Sequence, residues 1–115
     1  MKAREEIWQN IGQIIVNYRL LECTPCAIAI VQWLSDNGTQ GQILRLRTKR
    51  PSELFIISQR HGMSESITEN GIHYGVEVFG KVFDNLSTEG LSRVEWINDF
   101  SCASGQLLLE ELTSL

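Results

Sequence analysis

Long apolar runs are missing from this chain. The longest is the six residues from Cys26 to Val31, where a membrane span needs roughly 20 residues and a signal-peptide core about 7–15. The opening Lys2-Ala3-Arg4-Glu5-Glu6 mixes bases with acids and leads into no such stretch. No membrane partner is expected, and the expected location as synthesised is the cytoplasm. An excess of positive charge is missing too. Ten Lys and Arg against fourteen Asp and Glu leave a formal charge of −4 over 115 residues, which argues against a phosphate-backbone binder and so against a nucleic-acid partner. Cysteine is scarce and odd in number: Cys23, Cys26 and Cys102. That excludes a disulfide-stapled scaffold and makes reduced thiols the expectation. With few Pro and Gly and no repeat at a fixed period, the chain is neither low-complexity nor a solenoid. What remains is one domain, residues 1–115, whose 43% apolar content suffices for one hydrophobic core.

From Ala3 to about Leu21 the apolar positions Ile7, Ile11, Ile14, Ile15, Tyr18 and Leu21 recur at helical spacing between polar residues, which predicts an amphipathic helix. Thr24-Pro25-Cys26-Ala27 reads as a second helix start, with Thr as cap and Pro at the first helical position. That helix should stop at Asn37-Gly38. Alternation from Ile43 to Thr48 predicts a half-buried strand, and Leu54 to Ile57 a second. Gln59 to Gly71 has little period and is expected to be a loop, with room for a short strand at Ser66-Ile67-Thr68. Ile72 to Asn85 carries the clearest β pattern, two arms around Phe79-Gly80, and predicts a hairpin. Ser87 to Phe100 is expected to form a short helix and Gln106 to Leu115 a terminal one. Helices first and strands after predict an α+β fold.

Two features point to chemistry. A cysteine in the first turn of a helix, as Cys26 would be, faces unpaired amides and the positive end of the helix dipole, which favour thiolate over thiol. The same amides can hold an oxyanion once the sulfur attacks a carbonyl. The second feature is His73, opening the hairpin between Gly71 and Gly75. If Phe79 and Gly80 are the turn, Gly75 faces Asp84, so Asp84 emerges on the sheet face of His73 and diagonal to it, with no side chain between. There it can fix the imidazole tautomer and stabilise the imidazolium.

The order of these residues resembles the papain-like superfamily, which includes the NlpC/P60 peptidases. Glu22-Cys23-Thr24-Pro25-Cys26-Ala27, Gly38 to Gly41, Asn70-Gly71-Ile72-His73-Tyr74-Gly75-Val76, Val82-Phe83-Asp84-Asn85 and Trp96 resemble the small papain-fold toxin domains of bacterial polymorphic toxin systems. The resemblance implies a papain-like fold in which two N-terminal helices pack on an antiparallel sheet. It implies Cys26 as nucleophile, His73 as general base and acid, and Asp84 as the orienting residue. Such a site acts on an amide or acyl carbon as a protease, deamidase or transglutaminase. No cofactor is implied. A protein or peptide substrate, an immunity protein and export as an effector are. The oxyanion-hole glutamine of papain-type enzymes, six residues before the nucleophile, is here Leu20, so the hole would rest on the Cys26 amide.

Other readings compete. Cys23-Thr24-Pro25-Cys26 also has the spacing of a thioredoxin-like redox site, which requires a strand directly before it. A zinc site drawing on Cys23, Cys26, His61, His73 and Cys102 would offer only one close pair of ligands. Arg45, Arg47, Lys49 and Arg50 read as a solvated strand face, Trp8, Trp33 and Trp96 as core, His61 as solvated and Cys102 as structural. A non-catalytic α+β interaction domain would keep the same periodicities. The state of the Cys26 thiol separates that reading from an enzyme.

Overall fold

The computed structural model describes residues 2–115. Helix α1 spans Arg4–Ile15 and buries Ile7, Ile11 and Ile15, one stripe at four-residue spacing. It is shorter than the periodicity predicts. The Asn17 side-chain amide donates to the carbonyls of Gln13 at 3.3 Å and Ile14 at 3.2 Å, satisfying groups that another helical turn would have used. Leu21 then takes φ 72°, a left-handed conformation incompatible with a continuing helix.

Helix α2 runs Cys23–Asp36, buries Cys23, Cys26, Ala27, Ile30 and Leu34, and stops at Asn37. Gly38 follows at φ 69°, the left-handed terminator the sequence predicts. The start differs from the expectation. Glu22, not Thr24, is the N-cap, and the Cys26 amide already donates to the Glu22 carbonyl at 3.1 Å. Pro25 is the third helical residue, still within the first turn where no amide partner is required. Cys23 thereby becomes the first helical residue and Cys26 the fourth.

The strands are β1 (Gln42–Thr48), β2 (Ile57–Ser58), β3 (Ile72–Val78), β4 (Lys81–Asp84), β5 (Ser87–Leu91), β6 (Phe100–Ser101) and β7 (Leu107–Leu112), with helix α3 (Arg93–Asn98) before β6. Five of them form one sheet in the order β5-β4-β3-β1-β7, while β2 and β6 pair separately. Every paired neighbour is antiparallel. The hairpin holds the predicted register: Val78 opposes Lys81 across Phe79 and Gly80, at φ 49° and 84°. Two positive φ values match the turn that suits strand twist.

Four expectations are corrected. Ser87 to Phe100 is half strand, because β5 continues the meander. Its helix, α3, begins only where Ser92 and Glu95 form a capping box. The second strand lies at Ile57–Ser58, and no strand forms at Ser66–Thr68. The expected terminal helix is β7. Leu107 to Leu112 would suit a helix by propensity, but β1 offers an open edge, and Glu110 there meets Arg45 at 2.9 Å and Arg47 at 2.8 Å. Cross-strand pairing overrides propensity.

Helices α1 and α2 cover one face of the sheet, where Ile7, Ile11, Ile30 and Leu34 meet Val76, Val78 and Phe83. The other face carries Leu44, Leu46 and Val82 under Ile56, Ile67, Trp96 and Phe100. His73 and Asp84 lie in the body of the protein, almost without exposure.

Candidate active site

The hairpin builds the centre of the site. Because Val76 opposes Phe83, the next pair along is Gly75 and Asp84. His73 lies two residues further down β3 on the same face. Its Nε2 stands 3.0 Å from Asp84 Oδ2. Gly75 is needed here: a Cβ on it would sit 2.8 Å from both the Trp96 ring and Val82. Trp96 stacks on the imidazole with ring centroids 5.9 Å apart, and Phe100 tilts against it at 5.0 Å.

Asp84 is only 2% exposed, so its charge must be met inside the protein. Its Oδ2 accepts from Trp96 Nε1 at 2.8 Å, from Arg60 Nη2 at 2.7 Å and from the imidazole. Its Oδ1 accepts from Arg60 Nη1 and from the Leu86 amide, each at 3.1 Å. Burial works against the charge, but the His73 and Arg60 partners outweigh it and hold the carboxyl well below its ordinary range. Arg60 in turn donates from Nε to Asp99 Oδ2 at 2.8 Å and from its amide to Asp99 Oδ1 at 2.9 Å.

The two cysteines of α2 part company. Cys26 is fully buried with Ile11, Ala27, Ile30 and Val76. Burial first, then the charge of Asp84, pushes its thiol up to about 12. Cys23 lies 3.9 Å from the carbonyl oxygen of Ile72, the residue before His73. Burial raises its pKa, but interaction with the His73 imidazole, the Tyr74 amide and Thr24 outweighs burial and lowers it below the ordinary thiol value. The reciprocal holds for His73. Desolvation lowers its pKa, and Asp84 and Cys23 raise it to about 9. With Nε2 on Asp84, the buried nitrogen left without a hydrogen-bond partner among the described residues is Nδ1. Catalytic hydrogen bonds are often unmade in a site without substrate, and a free Nδ1 fits that state.

Of the residues singled out in the sequence, His73 and Asp84 are brought together as expected. Cys26, expected to face His73, points into the core because of where α2 starts, and Cys23, the first helical residue, lies beside Ile72, next to His73 in sequence. The Cys26 amide is also engaged, with Glu22, and does not serve an oxyanion. Among the described residues the Cys23 and Thr24 amides make no such bond. What precedes Cys23 is the turn after α1, so the strand that a thioredoxin-like site requires is not there. A cavity of about 160 Å³ opens beside Cys23 between Leu21, Thr24, Ile67, Thr68, Asn70 and Ile72. Larger hollows, of about 410 and 460 Å³, lie between α1 and β5 and beside β2 and β6, without touching it.

Arg60 and the hydrogen bond from Trp96 are site features that the sequence does not reveal. Arg60 sits in an aperiodic loop with nothing around it to mark burial. Trp96 reads correctly as core, while its polar edge reaches Asp84. Asn85 points away from the site and donates to the Arg19 carbonyl at 2.8 Å, holding the segment that leads into α2.

An α+β protein with a thiol at a helix start, a strand imidazole and a buried carboxylate in chain order has the architecture of the papain-like class. The chain matches the papain fold toxin 2 family over residues 6–101. It belongs to that family, and its fold is papain-like. No curated protein matches it, and no solved structure does.

Proposed function

We propose that the protein is a thiol acyl hydrolase or acyltransferase in which Cys23 is the nucleophile, His73 the general base and acid, and Asp84 the orienting carboxylate. The observation that carries this reading is His73 held by Nε2 on Asp84 at 3.0 Å with its Nδ1 left without a hydrogen-bond partner, and the Cys23 thiol 3.9 Å from the carbonyl of the adjoining Ile72. The Cys23 thiolate adds to an amide carbon, forming a C–S bond. The C–N bond then breaks as Nδ1–H of His73 passes its proton to the departing amine. Water enters, gives a proton back to Nδ1 and displaces sulfur, which leaves as the thiolate. Water as acceptor gives peptidase or deamidase activity, and an amine acceptor gives transglutamination. The free Cys23 amide is the first oxyanion donor, replacing the Cys26 amide of the sequence reading. A protein or peptide substrate, an immunity protein that blocks the site, synthesis in the cytoplasm and export as an effector are part of the same proposal.

The test is the pH dependence of iodoacetamide alkylation at each cysteine, resolved peptide by peptide, in the natural sequence and in His73→Ala. Cys23 is expected to react as a thiolate at pH 7 and to lose that reactivity in His73→Ala, while Cys26 stays unreactive until the protein unfolds. Cys23 reacting only near its ordinary pKa, whatever stands at residue 73, would sink the assignment.

A further inference from the structure

Arg60 has no place in the steps above, yet it is tied into the site more tightly than burial of a cation requires. Its side chain is 18% exposed, and the Phe100 ring that leans on His73 also lies under the guanidinium, 5.6 Å from its centre. One edge of the guanidinium forks onto both oxygens of Asp84, at 3.1 and 2.7 Å, and Nε reaches Asp99 at 2.8 Å. Nη1 also donates to Ser87 Oγ at 2.9 Å. Asp99 is itself held by the Ser58 hydroxyl. Asp99 alone would compensate the charge of Arg60, but the fork ends on the oxygen that receives His73 Nε2.

We propose that Arg60 is a positioning residue of this thiol site, a clamp that keeps the Asp84 carboxylate ionised and fixed while His73 is without its second proton. The inference rests on the Cys23 and His73 reading above. During the reaction the imidazole alternates between charged and neutral. When it is neutral, its Nε2–H still donates, but a buried carboxylate with no cation beside it is costly. Such a group takes up a proton or turns away. A permanently charged fork removes that option, and the imidazole keeps one orientation through both half-reactions. A lysine would not reproduce it, because a single ammonium lacks the planar fork that spans Asp84 while reaching Asp99.

The charges around the pair are Asp84 on β4, Asp99 at the end of α3, Arg60 after β2 and Cys23 on α2, with Glu22 just ahead of α2. Taking Arg60 away leaves Asp84 free to take up a proton or turn from His73, so the imidazole charges less readily and Cys23 holds its proton to higher pH. Iodoacetamide alkylation of Cys23 across pH, with a thermal melt of each variant, reads this directly. In Arg60→Gln the midpoint of the Cys23 profile is expected to rise by about one pH unit, with a lower rate at pH 7. Arg60→Lys should fall between the two. A merely structural arginine would lower the melting temperature and leave the midpoint in place, and that result in folded Arg60→Gln overturns the proposal. If Arg60→Gln does not fold, Arg60→Lys decides. A rise of about half a pH unit is expected there, and an unmoved midpoint overturns the inference. His73→Ala in the same series separates two failures. If it leaves the Cys23 midpoint unmoved, the thiol–imidazole reading falls and takes Arg60 with it. If only the Arg60 variants leave it unmoved, the clamp alone is lost.

Discussion

Cys23 and Cys26 stand three residues apart at the start of α2, and their thiols are driven in opposite directions. Cys23 meets the His73 imidazole and is lowered. Cys26 meets hydrocarbon and the distant charge of Asp84 and is raised to about 12. Three residues turn a helix by most of one revolution, but the difference is one of depth as well as direction. The first helical residue lies at the mouth of the site and the fourth beneath it.

Cys26→Ala should therefore leave Cys23 alkylation and any acyl-transfer activity near their natural level. Its cost is in stability, about 1 kcal/mol for a small volume lost from the core. Cys26→Ser should cost more, roughly 1–3 kcal/mol, because a hydroxyl would be buried among Ile11, Ile30 and Val76 without a partner. Urea unfolding of the two variants beside Cys23→Ala checks the order. Loss of activity in Cys26→Ala with the fold intact would return the nucleophile to residue 26.

Which parts of this were legible from the sequence follows from the range of the interactions. The hairpin was readable to the residue pair, since Phe79-Gly80 sets the turn and a two-residue period does the rest. The His73 and Asp84 contact came with it. The start of α2 was not, because Thr24-Pro25 fits equally as cap and first position or as second and third positions. Resolving that needs the Glu22 carbonyl, whose use as cap depends on Leu21 taking a left-handed turn. A two-residue shift of the helix start there decides which of the two cysteines opens α2 and which is buried beneath it. Arg60 and β7 depend on partners at long range, Asp84 and Asp99 for one and the β1 edge for the other. No local pattern in Gln59 to Gly62 or in Leu107 to Leu112 announces them.

Gly75→Ala tests how closely the site is packed. The added Cβ would lie 2.8 Å from the Trp96 ring and from Val82, so the indole must shift. Overpacking of this kind costs about 1–3 kcal/mol. The shift also pulls Nε1 off Asp84, and Cys23 alkylation at pH 7 should fall. Trp96→Phe separates the two effects. It keeps a ring against the imidazole and removes one hydrogen bond to a charged group, worth about 1.5–3 kcal/mol. A Gly75→Ala protein as stable and reactive as the natural one would show that Trp96 has room to move.

Asp84→Asn removes the charge while keeping the shape. His73 loses the partner that raises its pKa, and Arg60 is left with Asp99 alone. The buried guanidinium then faces an amide, and breaking one side of such a pair costs roughly 3–5 kcal/mol. Thiolate formation at Cys23 should weaken at the same time, since an imidazole that charges less readily stabilises sulfur less. Alkylation at pH 7 and urea unfolding are the two readouts. A variant that loses stability but keeps the natural Cys23 profile would reduce Asp84 to a structural role.

Stability should follow pH through the same groups. Asp84 is depressed from its ordinary 3.8, so its contribution is present above that value and lost as pH falls through its lower folded pKa. His73 is raised from 6.5 to about 9. Its contribution is full below 6.5 and lost as pH climbs through 9. Cys26, raised from 9.0 to about 12, stabilises below 9.0 and loses that on the way to 12. Cys23, depressed, runs the other way: its contribution grows as pH rises toward 9.0, offsetting part of the His73 loss below that value, and changes no further above it. Melting temperature against pH should therefore hold a plateau from about 4 to 6.5 and decline beyond it, steeply above 9. In His73→Ala the decline between 6.5 and 9 should flatten. In Cys23→Ala, where no thiol offsets it, a melting temperature level from pH 6.5 to 9 would mean that His73 gains no partner on folding, and the pairing with Asp84 would have to be abandoned.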